Sequence, residues 1–363
     1  MQYTESYKKA WDDFVNYHPN SNLYHLSGWK NVIEKTYGHK TFYLMAINAA
    51  NAIIGILPLA HLKHFVFGNN LVSIPYFDMS GILAIDEQTE KMLFSEAIKL
   101  GQKLKVDSIE LRHSTPLSLL YKINQKDSTI TYQCNTDEDL IIHELKDQKV
   151  RMVLQLPETS EMLMKSFNSK FRNKIKRPIR DGLKCKTGGI ELLNDFYTVF
   201  TINMRDLGSP VHSKDFIKNV LKEFPDKAKI GIVYKDKRPI ACILVIGFKK
   251  MLANPWASSL REFANLRANT LQYWTMLEFA CDNGYTCFDF GRSSPDEGTY
   301  KFKEKWGATS TPLHWYYTSM DGGVVDTASS KKAKFDAAIK LWQKMPVVFT
   351  KMIGPFIRKN ISL

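Results

Sequence analysis

Cys287-Phe288-Asp289-Phe290-Gly291-Arg292 is the stretch that decides the fold class. It alternates apolar and polar residues as a β-strand does, and Asn283-Gly284 before it ends a helical pattern at 269–281. Another strand pattern, at 239–246, precedes that helix. The order strand, helix, strand predicts a mixed α/β unit in which the helix packs on the sheet.

The first half of the chain repeats this order. A strand pattern at 52–59 precedes a helical pattern at 90–104, and a further strand follows at 108–112. That strand ends in Arg112, as the second-half strand ends in Arg292. The recurrence predicts a duplication, with two tandem α/β domains whose mixed sheets are flanked by helices.

The length agrees with two domains, because 363 residues exceed the usual size of a single core. We predict domains at 1–145 and 146–330, separated within the charge-rich stretch 137–149. A basic amphipathic tail is predicted at 331–363, divided into short pieces by its prolines.

The second predicted domain opens with helical patterns at 161–175 and 192–204. Pro178 and Gly182 are expected to end the first of these helices. A loop through Pro255 is expected between the strand at 239–246 and the next helix.

The net charge of +13 is concentrated in two segments. Segment 165–186 has nine Lys/Arg and one acidic residue, and segment 331–363 has eight and one. Such patches favour phosphate-bearing partners, namely nucleotides, coenzyme A, tRNA or anionic lipid, and DNA is not expected. The alternative for either segment is a solvated helix face. For the tail, contact with an anionic membrane surface competes with packing on the domains.

Several classes of function lack their motifs. There is no Gly-x-Ser-x-Gly elbow, no Walker loop and no Gly-x-Gly-x-x-Gly. The five cysteines contain no Cys-x-x-Cys pair and have no nearby histidine pair, so neither a metal nor a disulfide is predicted. Without a signal sequence or a long apolar stretch, the chain is predicted to be cytoplasmic, possibly at the inner face of the membrane.

Polar and aromatic residues are dense at 288–307, which makes this segment the candidate site. A Gly/Ser/Pro-rich loop at 291–299 follows the strand, and α/β proteins place ligands at such strand ends. In 300–307 lysine alternates with aromatic residues, so a basic edge strand is the competing interpretation.

The start of the helix at 269–281 is a second candidate feature. Free backbone N–H groups and the helix dipole attract anions at a helix N-terminus, and Arg267 lies just before it. Asn269 or Thr270 acting only as an N-cap is the competing explanation.

Several motifs together resemble the FemAB-related proteins associated with exosortase/PEP-CTERM systems. The similarity extends over essentially the whole chain. The motifs are Gly55-Ile56-Leu57-Pro58-Leu59, Asn203-Met204-Arg205-Asp206-Leu207-Gly208, Pro255-Trp256-Ala257-Ser258-Ser259, Phe288-Asp289-Phe290-Gly291-Arg292-Ser293, Tyr300-Lys301-Phe302-Lys303 with Trp306-Gly307-Ala308, and Leu341-Trp342-Gln343-Lys344-Met345-Pro346.

The resemblance implies two GNAT-like domains in tandem and a relation to peptidyltransferases that move an amino acid from aminoacyl-tRNA to a cell-wall precursor amine. It also implies that the pair Phe302-Lys303 lies at the substrate, with Lys303 on a phosphate or a developing oxyanion. One departure is that no long coiled-coil insertion is present, which bears on the use of tRNA.

The predicted function is N-acyl or aminoacyl transfer from an activated donor to an amine of a cell-envelope or exopolysaccharide precursor. The donor would be acyl-CoA, acyl-carrier protein or aminoacyl-tRNA, with no tightly bound cofactor. We predict Lys303, Asp289 and Arg292 as catalytic residues, with Asp289 as a mere structural partner of Arg292 in the alternative. The predicted substrate-binding residues are Phe302, Arg205, Asp206, Trp256, Ser258, Arg267, Asn269, Ser293, Asp296, Tyr300 and Trp306.

Two other functions stay open at this stage. One is a binding protein that keeps the pocket without turnover. The other is an RNA-binding module, suggested by the basic segment 165–186 with Phe167 and Phe171 interleaved.

Overall fold

The computed structural model describes residues 1–126, 129–134, 141–145, 149–320 and 328–362, without the side chains of 126, 134, 145 and 328–335. The chain forms two compact units, and each unit consists of separate stretches of the chain. The first unit comprises Met1–Val150, Pro312–Lys331 and Asn360–Leu363, and the second comprises Arg151–Thr311 and Lys332–Lys359. The predicted domains at 1–145 and 146–330 are contiguous, so they miss that 312–331 and 360–363 belong to the first unit. Much of the predicted boundary at 137–149 lies outside the described residues.

The first unit is built on a mixed sheet. Its strands run in the order β1-β2-β3-β5-β16-β8-β7-β6, with β4 paired to β2. Most pairs are antiparallel, but β3 and β5 are parallel. The elements are α1 (Lys8–Tyr17), α2 (Gly28–Tyr37), β1 (Lys40–Ile47), β2 (Ile53–His64), β3 (Gly68–Val72), β4 (Leu83–Ala84), α3 (Glu87–Leu104), β5 (Ser108–His113), β6 (Leu120–Lys126), β7 (Thr129–Cys134), β8 (Ile141–Leu145) and, near the end of the chain, β16 (His314–Ser319).

Helix α3 covers one face of this sheet. Asp86 caps its N-terminus by accepting from Thr89 N at 2.7 Å, and Lys105 ends it in the left-handed conformation at φ 52°. Leu93, Phe94 and Ala97 lie on its buried side, in the periodicity of an amphipathic helix. They pack in one core with residues of β2, β3 and β5.

The second unit contains a seven-stranded sheet in the order β10-β11-β12-β13-β14-β9-β15. The elements are β9 (Val150–Gln155), α4 (Ser160–Ser166), α5 (Ser169–Arg180), β10 (Lys184–Gly188), α6 (Leu193–Leu207), α7 (Lys214–Glu223), β11 (Ala228–Lys235), β12 (Arg238–Phe248), β13 (Met251–Ser259), α8 (Ala268–Asp282), β14 (Cys287–Ser293), α9 (Gly298–Glu304), β15 (Thr309–Pro312), α10 (Ala328–Lys344) and α11 (Val347–Arg358). The run from Ile240 to Ile246 in β12 is fully buried, as expected for a central strand covered on both faces. Two mixed sheets flanked by helices confirm the predicted fold class.

Two helix predictions need correction. The helix expected at 161–175 is divided at Phe167-Asn168, because the Asn168 side chain caps a new helix by accepting from Phe171 N at 2.9 Å. Pro178 does not end this helix, which continues to Arg180. Gly182, at φ 83°, makes the turn that follows.

The loop expected through Pro255 is part of β13. The pairing of β12 with β13 shifts register between Leu244 and Ile246, which leaves Asn254 and Pro255 at a bulge. A proline is tolerated there because the bulge needs no ladder hydrogen bond from it.

The edge strand considered for 300–307 is also wrong, since this segment begins in helix α9. Phe302 and Trp306 are four residues apart and their rings lie 6.3 Å from each other, which is the spacing of one helical face. The alternation of lysine with aromatic residues resembles a strand pattern, but the aromatic residues are four apart and follow the helical period.

The tail forms two helices instead of short pieces. Pro346 is the N-cap of α11, and Pro355 lies inside that helix. The side chains of 328–335, Phe335 among them, lie outside the described residues. In the part of the chain that the structure describes, no helix is both long and apolar enough to cross a membrane.

Candidate active site

The parallel strands β13 and β14 part at the centre of the second unit. Their pairing runs from Met251–Cys287 to Ala253–Asp289 and ends there. Beyond this point β13 follows its bulge, while β14 turns at Gly291, whose φ of 70° favours glycine. The sheet therefore opens at the carboxyl end of β14, which is where α/β proteins bind ligands.

Asn254 holds the bulge open. Its Nδ2 donates to Leu244 O at 2.9 Å and to Trp256 O at 3.0 Å, so it bridges two strands that the bulge separates. Its Oδ1 accepts from the Tyr273 hydroxyl of α8 at 3.1 Å. Burial raises the pKa of Tyr273, so this phenol stays a donor at neutral pH. Sequence reasoning missed both residues, although a lone asparagine in an apolar strand next to proline was a usable signal.

Asp289 is engaged through both carboxylate oxygens. Oδ2 accepts from Arg151 Nε of β9 at 2.9 Å, and Oδ1 accepts from Gly291 N at 2.8 Å. The ion-pair partner of this buried carboxylate is thus Arg151, not Arg292 as the alternative interpretation had it. Asp289 joins β9 to β14 and shapes the turn at Gly291. Its predicted role as a base stays a prediction.

Lys303 supports the same turn from helix α9. Its ammonium donates to Arg292 O at 2.7 Å and to Gly291 O at 3.2 Å, and the side chain is buried. A buried ammonium needs such acceptors, and these carbonyls belong to the end of β14. The predicted action of Lys303 on an oxyanion or phosphate stays a prediction; the observed contacts position β14.

Ser293 is the last residue of β14 and lies beyond this turn. It is 3% exposed, and its hydroxyl has no hydrogen-bond partner among the described residues. A buried hydroxyl without a partner is costly, and proteins keep such groups where a ligand supplies the bond. Ser293 is therefore the strongest single indication that this opening binds something.

Helix α8 begins with Arg267 at its N-cap position. Arg267 is in the left-handed conformation at φ 58°, and no side chain caps the helix. The prediction that Asn269 or Thr270 is a simple N-cap is therefore wrong, because Ala268, Asn269 and Thr270 all lie inside the helix. An N-terminus without a side-chain cap leaves backbone N–H groups for an anion.

The remaining predicted residues fall into two groups. Trp256 packs edge-on against the rings of His212 and Phe216, while Ser258 is buried and accepts from Asn203 Nδ2 at 3.0 Å. Arg205 pairs with Asp206 at 2.6 Å and donates to Met345 O at 3.0 Å. The first group lies on β13 at the opening, whereas the contacts of the second tie α6 to the chain between α10 and α11.

Phe302 of α9 and Trp306 in the turn after this helix connect the opening to helix α5. Phe302 lies 5.2 Å from Tyr273 between ring centroids, and Trp306 meets Phe167 and Phe171 edge-on at 5.7 and 4.9 Å. Of the other two predicted residues, Tyr300 is half-buried on α9 and Asp296 is exposed in the preceding loop. Because Phe167 and Phe171 pack on Trp306, these contacts engage the rings proposed for base stacking in the RNA-binding alternative.

Comparisons with known proteins bear on the family and the fold. Residues 169–304 match the model of the acetyltransferase (GNAT) domain family. The crystal structure of FemX matches 87% of this chain and 96% of its own, with 14% identity and a TM-score of 0.63. The C-terminal domain of a putative lysylphosphatidylglycerol synthetase from Agrobacterium fabrum matches 92% and 96%, with 10% identity and a TM-score of 0.54.

A tandem GNAT protein from the clavulanic acid biosynthesis pathway matches 89% of this chain and 97% of its own, at 9% identity and a TM-score of 0.51. No curated protein sequence matches significantly. These findings confirm the predicted GNAT domain and the tandem GNAT-like fold shared with FemX. The association with exosortase/PEP-CTERM systems stays a prediction.

Proposed function

We propose that the protein is an N-acyltransferase that uses the opening between β13 and β14, because residues 169–304 match the acetyltransferase (GNAT) domain model. The observation that carries the proposal is the buried, unpartnered Ser293 hydroxyl at the end of β14. A donor carbonyl lying between the parted strands would accept its hydrogen bond and remove the cost of burying it.

In the reaction an amine attacks the donor carbonyl and a C–N bond forms. The C–S or C–O bond of the donor breaks, and the leaving thiol or hydroxyl takes up the proton that the amine loses. We propose that the site contributes to this reaction in three ways. The N-terminus of α8 with Arg267 would hold donor phosphates. Ser293 would bind the carbonyl oxygen as negative charge develops on it. Asp289 and Lys303 would keep the turn at Gly291 rigid, so that the reacting groups stay aligned.

The donor is either an acyl thioester or aminoacyl-tRNA. The likeness to the tandem GNAT protein, whose structure is described as that without AcCoA, supports a thioester donor, while the likeness to FemX and to a lysylphosphatidylglycerol synthetase supports an aminoacyl group. The basic helix α5 offers charge to either donor. We propose an amine of a cell-envelope or exopolysaccharide precursor as the acceptor, met on the cytoplasmic side.

Donor competition tests the proposal. The purified protein is incubated with a panel of acyl-CoA thioesters or with aminoacyl-tRNA, each with amine acceptors, and the products are identified by mass spectrometry. We expect one donor class to be consumed and Arg267→Ala to raise its KM about tenfold, as loss of a charge-assisted phosphate contact would. Binding of a donor without any product would favour the non-catalytic alternative. Failure of both classes to bind would overturn the proposal.

A second experiment distinguishes a structural role of Lys303 at the end of β14 from a catalytic role on the oxyanion. Lys303→Met would lower stability if the ammonium only holds β14, and it would lower kcat at unchanged stability if the ammonium acts on the oxyanion. Lys303→Arg serves as the conservative control, because it keeps the charge and donors for the two carbonyls. Thermal unfolding and steady-state kinetics are measured on the same preparations.

A further inference from the structure

Among the described side chains of α10 and α11, at 336–358, few are buried. Trp342 of α10 is buried, and on α11 the buried residues are Thr350 and Gly354. A Cβ atom on Gly354 would lie 3.1 Å from Val211 N, so the helix approaches the backbone closely there. This inner side fixes the two helices in place.

The outer side carries large apolar residues in solvent. Five of them are between 51% and 73% exposed: Leu341, Val348, Phe349, Met352 and Phe356. Val348, Met352 and Phe356 follow one another at intervals of four residues, which aligns them along one side of α11. Isolated exposed apolar residues are ordinary, but a contiguous row of this kind marks a docking surface.

The charge around this row is almost entirely positive. Residues 336–362 contain five Lys/Arg, and Asp336 is their one acidic residue. Lys340 and Lys344 are exposed and flank Leu341 on α10. A partner that binds this surface must therefore carry negative charge next to an apolar region. A second copy of this chain would bring cations against cations in a symmetric contact, which opposes self-association.

We propose that the row formed by Leu341, Val348, Phe349, Met352 and Phe356 docks on an anionic lipid bilayer. The twelve residues of α11 make a helix about 18 Å long, which suits a position parallel to the membrane in the headgroup region. The apolar side chains enter the acyl boundary, and Lys340 and Lys344 contact lipid phosphates. This inference is independent of the proposed reaction.

Vesicle flotation tests the docking. The full chain is mixed with vesicles of phosphatidylglycerol and phosphatidylcholine, or of phosphatidylcholine alone, at low and high salt. We expect binding to the anionic vesicles only, weakened by salt. The triple variant Val348→Ser, Phe349→Ser, Met352→Ser should lose at least tenfold in partition coefficient, and Lys340→Glu with Lys344→Glu should lose about as much.

A matched control removes exposed apolar residues elsewhere. Phe65→Ser, Met162→Ser and Ile190→Ser change side chains that are also exposed, and this variant should bind vesicles as the unaltered protein does. Unfolding midpoints and transfer to a soluble amine without vesicles verify that the variants are folded and active. Absence of binding by the unaltered protein, or equal loss in the control, would overturn the proposal. A concentration-dependent dimer that the first triple variant abolishes would overturn it in favour of self-association.

Discussion

The two units differ most where their parallel strands end. In the first unit, the pairing of β3 with β5 stops at Val72–Glu110, but the chain beyond is joined across the gap. Ser73 N donates to Glu110 O at 2.8 Å, and Ser73 Oγ accepts from Arg112 N at 2.8 Å. In the second unit, the pairing of β13 with β14 stops at Ala253–Asp289 and leads to the unpartnered hydroxyl of Ser293.

The end of the chain takes part in closing the first unit. Ser362 O accepts from Tyr76 N at 2.5 Å and from Arg112 Nη1 at 3.2 Å, while Arg112 also donates to Phe77 O at 2.6 Å. Arg112 is fully buried and pairs with Glu110 at 2.8 Å. The same strand order thus produces a joint bridged by Ser73, Arg112 and Ser362 in the first unit, and in the second an end of β14 where the Ser293 hydroxyl has no hydrogen-bond partner among the described residues. This contrast is the reason why we propose ligand binding in the second unit.

The acidic residue at the joint has a different partner in each unit. Glu110 pairs with Arg112 of its own strand, whereas Asp289 pairs with Arg151 of the neighbouring strand β9. The guanidinium that pairs with this acidic residue therefore comes from the same strand in the first unit and from the neighbouring strand in the second.

The largest effect is expected from Arg112→Leu. It leaves Glu110 without its guanidinium and removes donors from Ile74 O, Phe77 O and Ser362 O. Breaking a buried pair by removing one partner costs about 3–5 kcal/mol. Denaturant unfolding, followed by hydrogen exchange at β3 and β5, should locate the loss in the first unit. An unchanged midpoint would contradict the closed-joint interpretation.

A smaller effect is expected when the chain is shortened by residues 360–363. The deletion removes the carbonyl of Ser362 and leaves Tyr76 N and Arg112 Nη1 without that acceptor, at about 1–3 kcal/mol. The control Ser362→Ala keeps the full chain and the carbonyl at position 362, so it should shift the unfolding midpoint less than the deletion does. If both variants shift the unfolding midpoint equally, the carbonyl of Ser362 has no special part in the joint.

Acidification should weaken both units. Burial, with smaller contributions from His25 and His314, lowers the pKa of His113 to about 3, and burial with the nearby Arg358 lowers the pKa of His212 well below 6.5. Both pKa values lie below those of the unfolded chain. The stability from the neutral rings is therefore complete above pH 6.5 and is lost as the pH falls, by about 1.4 kcal/mol per pH unit for each histidine.

The variants His113→Gln and His212→Gln check this dependence one unit at a time. Each should flatten the slope of unfolding free energy against pH between 6 and 4. His143, which is partly exposed and whose pKa is also lowered by burial, provides the comparison, and His143→Gln should leave more of the slope intact. Equal slopes in all three variants would mean that neither buried ring controls the acid response.

The sequence predicted the elements of both units better than the contacts at the site. Periodicity found β12, α8 and β14, because a central strand and a buried helix leave strong patterns. It could not find the pairing of Asp289 with Arg151 or the return of β16 to the first sheet. These depend on residues far apart in the chain, and no local pattern encodes them. The strand interpretation of 300–307 failed because eight residues are too few to distinguish the two-residue period of a strand from the 3.6-residue period of a helix.

The pair Ser293→Ala and Ser258→Ala tests most directly whether the second unit is an open site. Ser258 already has Asn203 as its partner, so its loss should cost about 1 kcal/mol of unfolding free energy. The Ser293 hydroxyl has no hydrogen-bond partner among the described residues, so Ser293→Ala should leave the free energy of unfolding unchanged or slightly higher, while kcat/KM for transfer falls at least about tenfold. Destabilisation by Ser293→Ala with transfer left intact would show that the hydroxyl serves the fold, and would contradict a ligand site at the end of β14.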